Sequence, residues 1–283
     1  MEDNAAKYYI VNGKVQDASV NPEYPGIAGY AVYEVIRIIN GVPLFFEDHY
    51  ERMKGSFDAI GKSLEATPGQ FKQDMGRLLE ANQADNCNVK IIIYGDNGGN
   101  RLRGCQARLA YISKSYYPPK EVADEGVKTG LLRMERRNPN AKLVDNEYKK
   151  AVSRRITEGG FFEVILVDGG GRITEGSKSN VFFVKNGSIL TAPGWSVLKG
   201  ITRKYVIAAC KNAGYEVVER FMKADEIKEA EGAFLSGTSI NVLPIRSIDD
   251  MILESPSNPV VDSVRREYEK LLEEYIKKSE KLV

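Results

Sequence analysis

The sequence has a single histidine, His49, and only three cysteines, Cys87, Cys105 and Cys210, far apart along the chain. One imidazole cannot build a histidine-rich zinc site, and any Ser-His-Asp or Cys-His pairing would have to run through that one residue. An odd number of scattered cysteines gives neither a disulfide framework nor a C-x-x-C motif, so reduced, inert thiols are expected. Charge of one sign is missing too: the formal net charge is +1, which creates no field that would draw the chain to nucleic acid. No window approaches the run of about 18 apolar residues that a membrane helix needs, and residues 1–11 lack the apolar stretch of a signal peptide. These absences point to a cytoplasmic protein acting on a small molecule, with no nucleic acid or membrane partner. Proton transfer, if it occurs, rests on Lys, Glu, Asp, Tyr or a cofactor.

At 283 residues the chain is long for one domain, and roughly two are expected. The first half reads as α+β. Apolar runs at 8–11, 33–39 and 42–46 predict strands, the last two joined by Asn40-Gly41, a strong hairpin signal. Asp48 with Glu51 resembles a capping box, so a helix is expected from there, with Met53, Phe57 and Ile60 on one face. Phe71, Met75 and Leu78 mark a second helix, and 89–94 and 107–113 two more strands. Tyr116-Tyr117-Pro118-Pro119 reads as a linker. The expected division is an N-terminal α+β domain over 1–118 and a larger α/β domain over 119–283.

In the second half a helical pattern through Val144, Tyr148, Val152 and Ile156 stops at Gly159-Gly160, and a strand follows over 161–167. Further strands are expected at 181–184, 189–191, 215–219, 233–236 and 242–245, with helices over 202–212 and 260–276. Two glycine clusters imitate nucleotide loops. Gly55…Gly61-Lys62-Ser63 has five intervening residues where a P-loop has four, and Asp168-Gly169-Gly170-Gly171 is followed by Thr174 where a dinucleotide fingerprint needs its third glycine. Two other segments suit an anion. Gly200-Ile201-Thr202 opens a helix, and Gly237-Thr238-Ser239 ends a strand with N–H and hydroxyl groups to offer, although each alone is read first as a cap or a turn.

Together, these segments and their flanks carry a family resemblance. The string from Thr174-Glu175-Gly176-Ser177 to Asn180-Val181-Phe182, then Leu198-Lys199-Gly200-Ile201-Thr202-Arg203, then Ser236-Gly237-Thr238-Ser239 resemble the ordered motifs of the class IV aminotransferases, the fold-type IV pyridoxal-phosphate enzymes. Upstream, Tyr33-Glu34-Val35-Ile36-Arg37 and the H-x-x-R pair His49 and Arg52 look like the same family's N-terminal strand and helix. The family includes branched-chain and D-amino acid aminotransferases and aminodeoxychorismate lyases. The likeness covers most of the chain; no one motif is specific, but their order and spacing are the family's. It implies a two-domain fold, with a smaller N-terminal α+β domain and a larger C-terminal α/β pseudo-barrel, a homodimer, and pyridoxal 5′-phosphate as cofactor.

The resemblance also implies roles. Lys142 stands at the family's spacing ahead of Glu175 and is followed by Asn146, as the cofactor-bearing lysine is; Lys149 and Lys150 lack the trailing Asn. Glu175 would pair with the protonated pyridine nitrogen. Arg52 would clamp the phosphate, together with N–H groups around Ile201, Thr202, Thr238 and Ser239. His49 is expected to be structural or surface-facing. The implied activity moves an amino group between an amino acid and a 2-keto acid. Val35 and the 197–202 run look more like D-amino acid aminotransferases than branched-chain ones, which usually have Gly at the first place and Tyr where Glu147 stands. The loop histidine of D-amino acid enzymes is absent, leaving Arg101 or Arg103, with Tyr33, for a substrate carboxylate; the two arginines read equally well as solvated loop residues. A lyase eliminating pyruvate from aminodeoxychorismate, and a cofactor-binding protein without turnover, stay open as alternatives.

Overall fold

The computed structural model describes residues 4–19, 29–95, 106–136 and 138–283. The chain forms two compact units, one of Met1–Ser115, Ala141–Val144 and Glu274–Val283, the other of Tyr116–Asn140 and Asp145–Glu273. Among the described residues no helix is long and apolar enough to cross a membrane.

In the first unit, β1 (Tyr8–Val11), β2 (Lys14–Asp17), β3 (Tyr30–Ile39), β4 (Val42–Pro43), β5 (Cys87–Gly95) and β6 (Ala107–Ser113) form an antiparallel sheet ordered β2-β1-β6-β5-β3-β4. Side chains alternate across it. Val32, Ile36 and Ile38 of β3 and Val89, Ile91 and Ile93 of β5 pack with Met53 and Phe57 of α1 (Phe46–Asp58) and with Phe71, Met75 and Leu78 of α2 (Pro68–Asn82). Each large apolar side chain buried this way contributes about 1.5–3 kcal/mol. Asn40 and Gly41 both have positive φ, 51° and 79°, as a tight hairpin turn requires. The return strand is shorter than expected, ending at Pro43, which has no N–H to extend the ladder. The helix start also differs from the sequence reading: α1 begins at Phe46, its N-cap is Phe45 with φ 52° and no side-chain cap, and Asp48 lies inside the first turn, where its charge suits the helix dipole. The capping box belongs instead to α2, between Thr67 and Gln70.

One polar group breaks the apolar face of β3. Glu34 has the same strand parity as Val32 and Ile36, so it points at the helices and is 1% exposed. The buried face of α1 answers it with a polar stripe. Arg52 Nε–H and Nη2–H donate to Glu34 Oε1 and Oε2 at 2.7 and 2.5 Å, and His49 Nδ1–H donates to Oε2 at 2.7 Å. One turn on, the buried Ser56 hydroxyl donates to the Arg52 carbonyl at 3.0 Å. Burial alone would push the Glu34 carboxyl up, but the charge and hydrogen bonds of Arg52, then those of His49, hold it well below the usual carboxylate range. His49 is driven down by burial, against the pull of Glu34, and so stays a neutral ring. It is buried and structural; the surface-facing alternative is overturned.

The second unit is built on a ten-stranded sheet. In chain order its elements are α3 (Lys120–Glu125), β7 (Val127–Arg133), α4 (Asn146–Gly159), β8 (Glu163–Val167), β9 (Arg172–Gly176), β10 (Asn180–Lys185), β11 (Ser188–Thr191), α5 (Ile201–Asn212), β12 (Val217–Glu219), β13 (Met222–Lys223), β14 (Gly232–Gly237), β15 (Asn241–Ile248), β16 (Met251–Ile252) and α6 (Pro259–Lys278). The path runs β12-β11-β10-β14-β15-β7-β8-β9-β13, with β16 paired to β15. Residues of β10, β11, β14 and β15 feed two cores. Phe183, Leu235, Leu243 and Ile165 line one. In the other, Phe182 and Phe234 stack at 5.0 Å against Val206 and Ala209 of α5 and Val261 and Val264 of α6. Strand β7, which sequence periodicity does not mark, pairs in parallel with both β15 and β8. Val144 lies outside α4, whose N-cap is Asp145, the side chain accepting from Tyr148 N–H at 3.0 Å.

The Glu34 cluster gives a testable expectation. Glu34→Gln keeps the shape but leaves a buried arginine without its counter-charge, so the apo-protein should lose about 3 kcal/mol of unfolding free energy, read as a lower urea midpoint. Because the folded carboxyl is held below its ordinary value, its contribution is complete above about pH 4.3 and is lost as the pH falls toward the depressed folded value. The difference between parent and variant should therefore shrink below pH 4.3. A variant as stable as the parent at pH 7 would remove Glu34 from this role.

Candidate functional site

In the first unit the segment Ala141–Val144 runs beside β3, forming an isolated antiparallel bridge between Leu143 and Val32. Both backbone polar groups of Lys142 are held there: its N–H donates to Ser56 Oγ at 3.2 Å, and its carbonyl accepts from Tyr33 N–H at 3.0 Å. The side chain is half-buried, with Nζ 5.0 Å from the centre of the Tyr33 ring. Lys90 comes to the same ring at 5.2 Å, a second amine that sequence reasoning missed. Tyr33, Arg52 and Lys142 are thus connected through Glu34's helix partner and Ser56. Two of Arg52's donors are already used on Glu34. Arg101 and Arg103 lie outside the described residues.

In the second unit Glu175 sits on β9, 3% exposed. Its Oε1 is 3.4 Å from Arg136 Nε, and its Oε2 accepts from Leu198 N–H at 3.2 Å. The chain from Leu198 leads directly to Gly200 and the start of α5, so Glu175, Ile201 and Thr202 share one neighbourhood. Gly200 is a close approach: a Cβ there would stand 2.1 Å from Asn180 Oδ1, whose amide donates to the Leu198 carbonyl at 3.0 Å. Asn180 in turn pairs across the ladder with Ser236, at the end of β14, just before the turn that carries Thr238 and Ser239. The Thr202 side chain is hydrogen-bonded to Tyr268, a phenol pushed up by burial and drawn back by that bond.

Two features of this corner suit an anion. The N-terminus of α5 has no side-chain cap, so the first-turn N–H groups of a 12-residue helix, at its positive end, keep their affinity for an anion. Beside it the Ser236 hydroxyl is buried and has no hydrogen-bond partner among the described residues, an arrangement that is costly unless something else accepts or donates there. Glu175 adds a buried carboxylate to the same neighbourhood.

Sequence reasoning quoted Glu34 within a motif without giving it a role, and missed Ser56, Lys90 and Arg136. Glu34 had a signal, since strand parity sets it among Val32 and Ile36. Ser56 lies a helical repeat beyond His49 and Arg52, a signal visible only once α1 is in place. Arg136 falls in an irregular stretch and had none.

The profile described as Amino-transferase class IV matches residues 31–248. A D-alanine aminotransferase of Bacillus licheniformis is 27% identical over 256 residues, covering 87% of this chain and 90% of that protein. A putative branched-chain-amino-acid aminotransferase of Methanocaldococcus jannaschii is 28% identical over 263 residues, covering 88% and 90%. Among solved structures, the branched-chain amino acid aminotransferase of Thermobaculum terrenum in its PLP form superposes with a TM-score of 0.83 at 23% identity, covering 99% of each chain. The fold is that of the fold-type IV enzymes, and with a family match over most of its length the chain belongs to the class IV aminotransferases, whose cofactor is pyridoxal 5′-phosphate.

Proposed function

We propose that Lys142 carries the cofactor and that the enzyme, a cytoplasmic homodimer, moves an amino group from a D-amino acid or a branched-chain amino acid to a 2-keto acid. The observation that carries this reading is the fixing of Lys142 at both backbone atoms, which gives its half-buried side chain a defined point of departure against Tyr33. Lys149 and Lys150, by contrast, are exposed on α4.

When bound, pyridoxal phosphate supplies an electron-withdrawing ring that acidifies the substrate α-carbon. Lys142 Nζ would hold the cofactor and, as the free amine, would take the proton from the substrate α-carbon. Glu175 provides the negative charge that favours a protonated ring nitrogen. Arg52, the N–H groups of Ile201 and Thr202, and the turn bearing Thr238 and Ser239 hold the phosphate. Tyr33, with Arg101 or Arg103, receives the substrate carboxylate. Val35 and the 197–202 run support a D-amino donor, whereas the named relatives include both D-alanine and branched-chain enzymes.

Borohydride reduction of the holoenzyme followed by peptide mapping should leave the pyridoxyl label on Lys142, and Lys142→Ala should bind the cofactor without a covalent link while losing transamination by about three orders of magnitude or more. A label on Lys149 or Lys150 would refute the assignment. Glu175→Gln should lower turnover by about 10²-fold with cofactor still bound; unchanged turnover would mean the ring nitrogen lies elsewhere. A panel of D- and L-amino donors against pyruvate and 2-oxoglutarate identifies the substrates, and pyruvate released from aminodeoxychorismate with no keto acid added would turn the reading to a lyase. Sedimentation at assay concentration should give a dimer, and a fully active monomer would count against the assembly.

A further inference from the structure

Glu175 does not stand alone in its unit. The guanidinium of Arg136 lies with Nε 3.4 Å from Glu175 Oε1, and it is fixed there by two further contacts. Its Nη2–H donates to the Ser177 carbonyl at 3.1 Å, and its plane lies over the Tyr148 ring at 4.9 Å. Tyr148 reaches from α4 to the same carbonyl, its hydroxyl donating at 2.8 Å. One backbone oxygen, two residues beyond Glu175, therefore ties down both the arginine and the ring beneath it.

That oxygen is itself held. Glu163, 4% exposed at the start of β8, accepts at a single oxygen from Lys178 N–H at 2.6 Å, from the Ser179 hydroxyl at 3.0 Å and from the Ser177 hydroxyl at 3.3 Å, which fixes the 177–179 turn. The chain of contacts runs from a buried carboxylate through the turn to the arginine and ends on Glu175. A buried carboxylate keeps its charge only with a cation or several donors at hand, and a planar guanidinium locked by stacking and a backbone bond supplies that charge in one place with little entropy left to lose.

We propose that Arg136 is a positioning residue, aiming the Glu175 carboxylate from a place fixed by the Ser177 carbonyl and the Tyr148 ring. The proposal rests on the reading of Glu175 as the partner of the ring nitrogen. Arg136 then acts on the cofactor only through Glu175, and that makes it separable from a residue that merely supports the fold.

The test is a double-mutant cycle read on cofactor binding as well as on rate. Arg136→Met keeps the aliphatic stem over Tyr148 and removes the charge. In the parent background it should weaken the apo-protein's affinity for pyridoxal phosphate, followed by absorbance titration, about tenfold. It should also lower kcat about tenfold or more while leaving KM for the amino donor within about twofold. Arg136→Lys, which retains a charge, should recover most of the affinity. In a Glu175→Gln background Arg136→Met should change either quantity by less than about twofold. Equal losses from Arg136→Met in both backgrounds, or no loss in the parent, would overturn the proposal. Normal affinity and turnover in Glu175→Gln alone would overturn the reading of Glu175 first, and the proposal with it. Thermal melts of the apo-variants separate these outcomes from unfolding.

Discussion

Burying a carboxylate costs several kcal/mol unless cations and donors reach it, and the alternation of β3 sends Glu34 to the core face with no other direction to take. The first unit is arranged around meeting that cost. Arg52 and His49 must both face the strand, so α1 can lie on the sheet in one rotation only. That rotation carries Ser56 inward one turn later, where its hydroxyl gives its proton to the Arg52 carbonyl and accepts the N–H of Lys142. The position of the lysine backbone is thus set by an acid on another strand, through a helix, without direct contact between the two. The apolar packing of Met53 and Phe57 supplies most of the adhesion, while the polar stripe supplies the orientation.

The second unit repeats the device. Glu163 is buried on a strand, and burial raises its carboxyl against the donors of the 177–179 turn that draw it down. Here the response comes from the chain's own next segment and not from a helix. The turn that wraps Glu163 follows Glu175, so organising one acid places the other. Tyr148 belongs to the same network: burial drives its phenol up to about 12, Arg136 opposes the rise, and the charges of Glu175 and Glu163 add to it. At neutral pH the ring is a donor, which is what its bond to the Ser177 carbonyl needs.

Much of this fold was legible in the sequence, and the failures have identifiable causes. Apolar character marked β3, β5, β6, β10 and β14, and the last four are buried along almost their whole length. It did not mark β7, where Lys128, Thr129 and Gly130 break the pattern and the strand is defined by parallel partners far away in sequence. The Asp48 capping box failed because Phe45 enters α1 through a left-handed backbone that composition does not announce. Val144 was read into α4 by its spacing, but its N–H is held by the Ala31 carbonyl, a tertiary contact that outweighs periodicity. The names of the site residues came through the family's motifs. Their surroundings did not, since a motif lists Glu175 and Arg52 without the arginine or the acid packed against each.

These networks also narrow which groups are available for proton chemistry. The only imidazole is tied to Glu34 and held as a neutral ring by burial, so it has no change of charge to offer near neutral pH. Glu34 is occupied by two basic side chains, Glu163 by three donors of one turn, and both lie in the interior. Glu175 is paired with Arg136 and a backbone N–H, which suits it to stabilising a charge and unsuits it to exchanging a proton in each cycle. In the proposed mechanism the remaining group is an amine, half-buried, on a backbone that cannot shift without breaking two hydrogen bonds. A lysine is a weak base for a carbon acid unless its approach is fixed, because proton transfer falls off steeply with misplacement. In that mechanism Glu34, Glu163 and Glu175 contribute rigidity, and the reactivity is left to Lys142 and the cofactor it would carry.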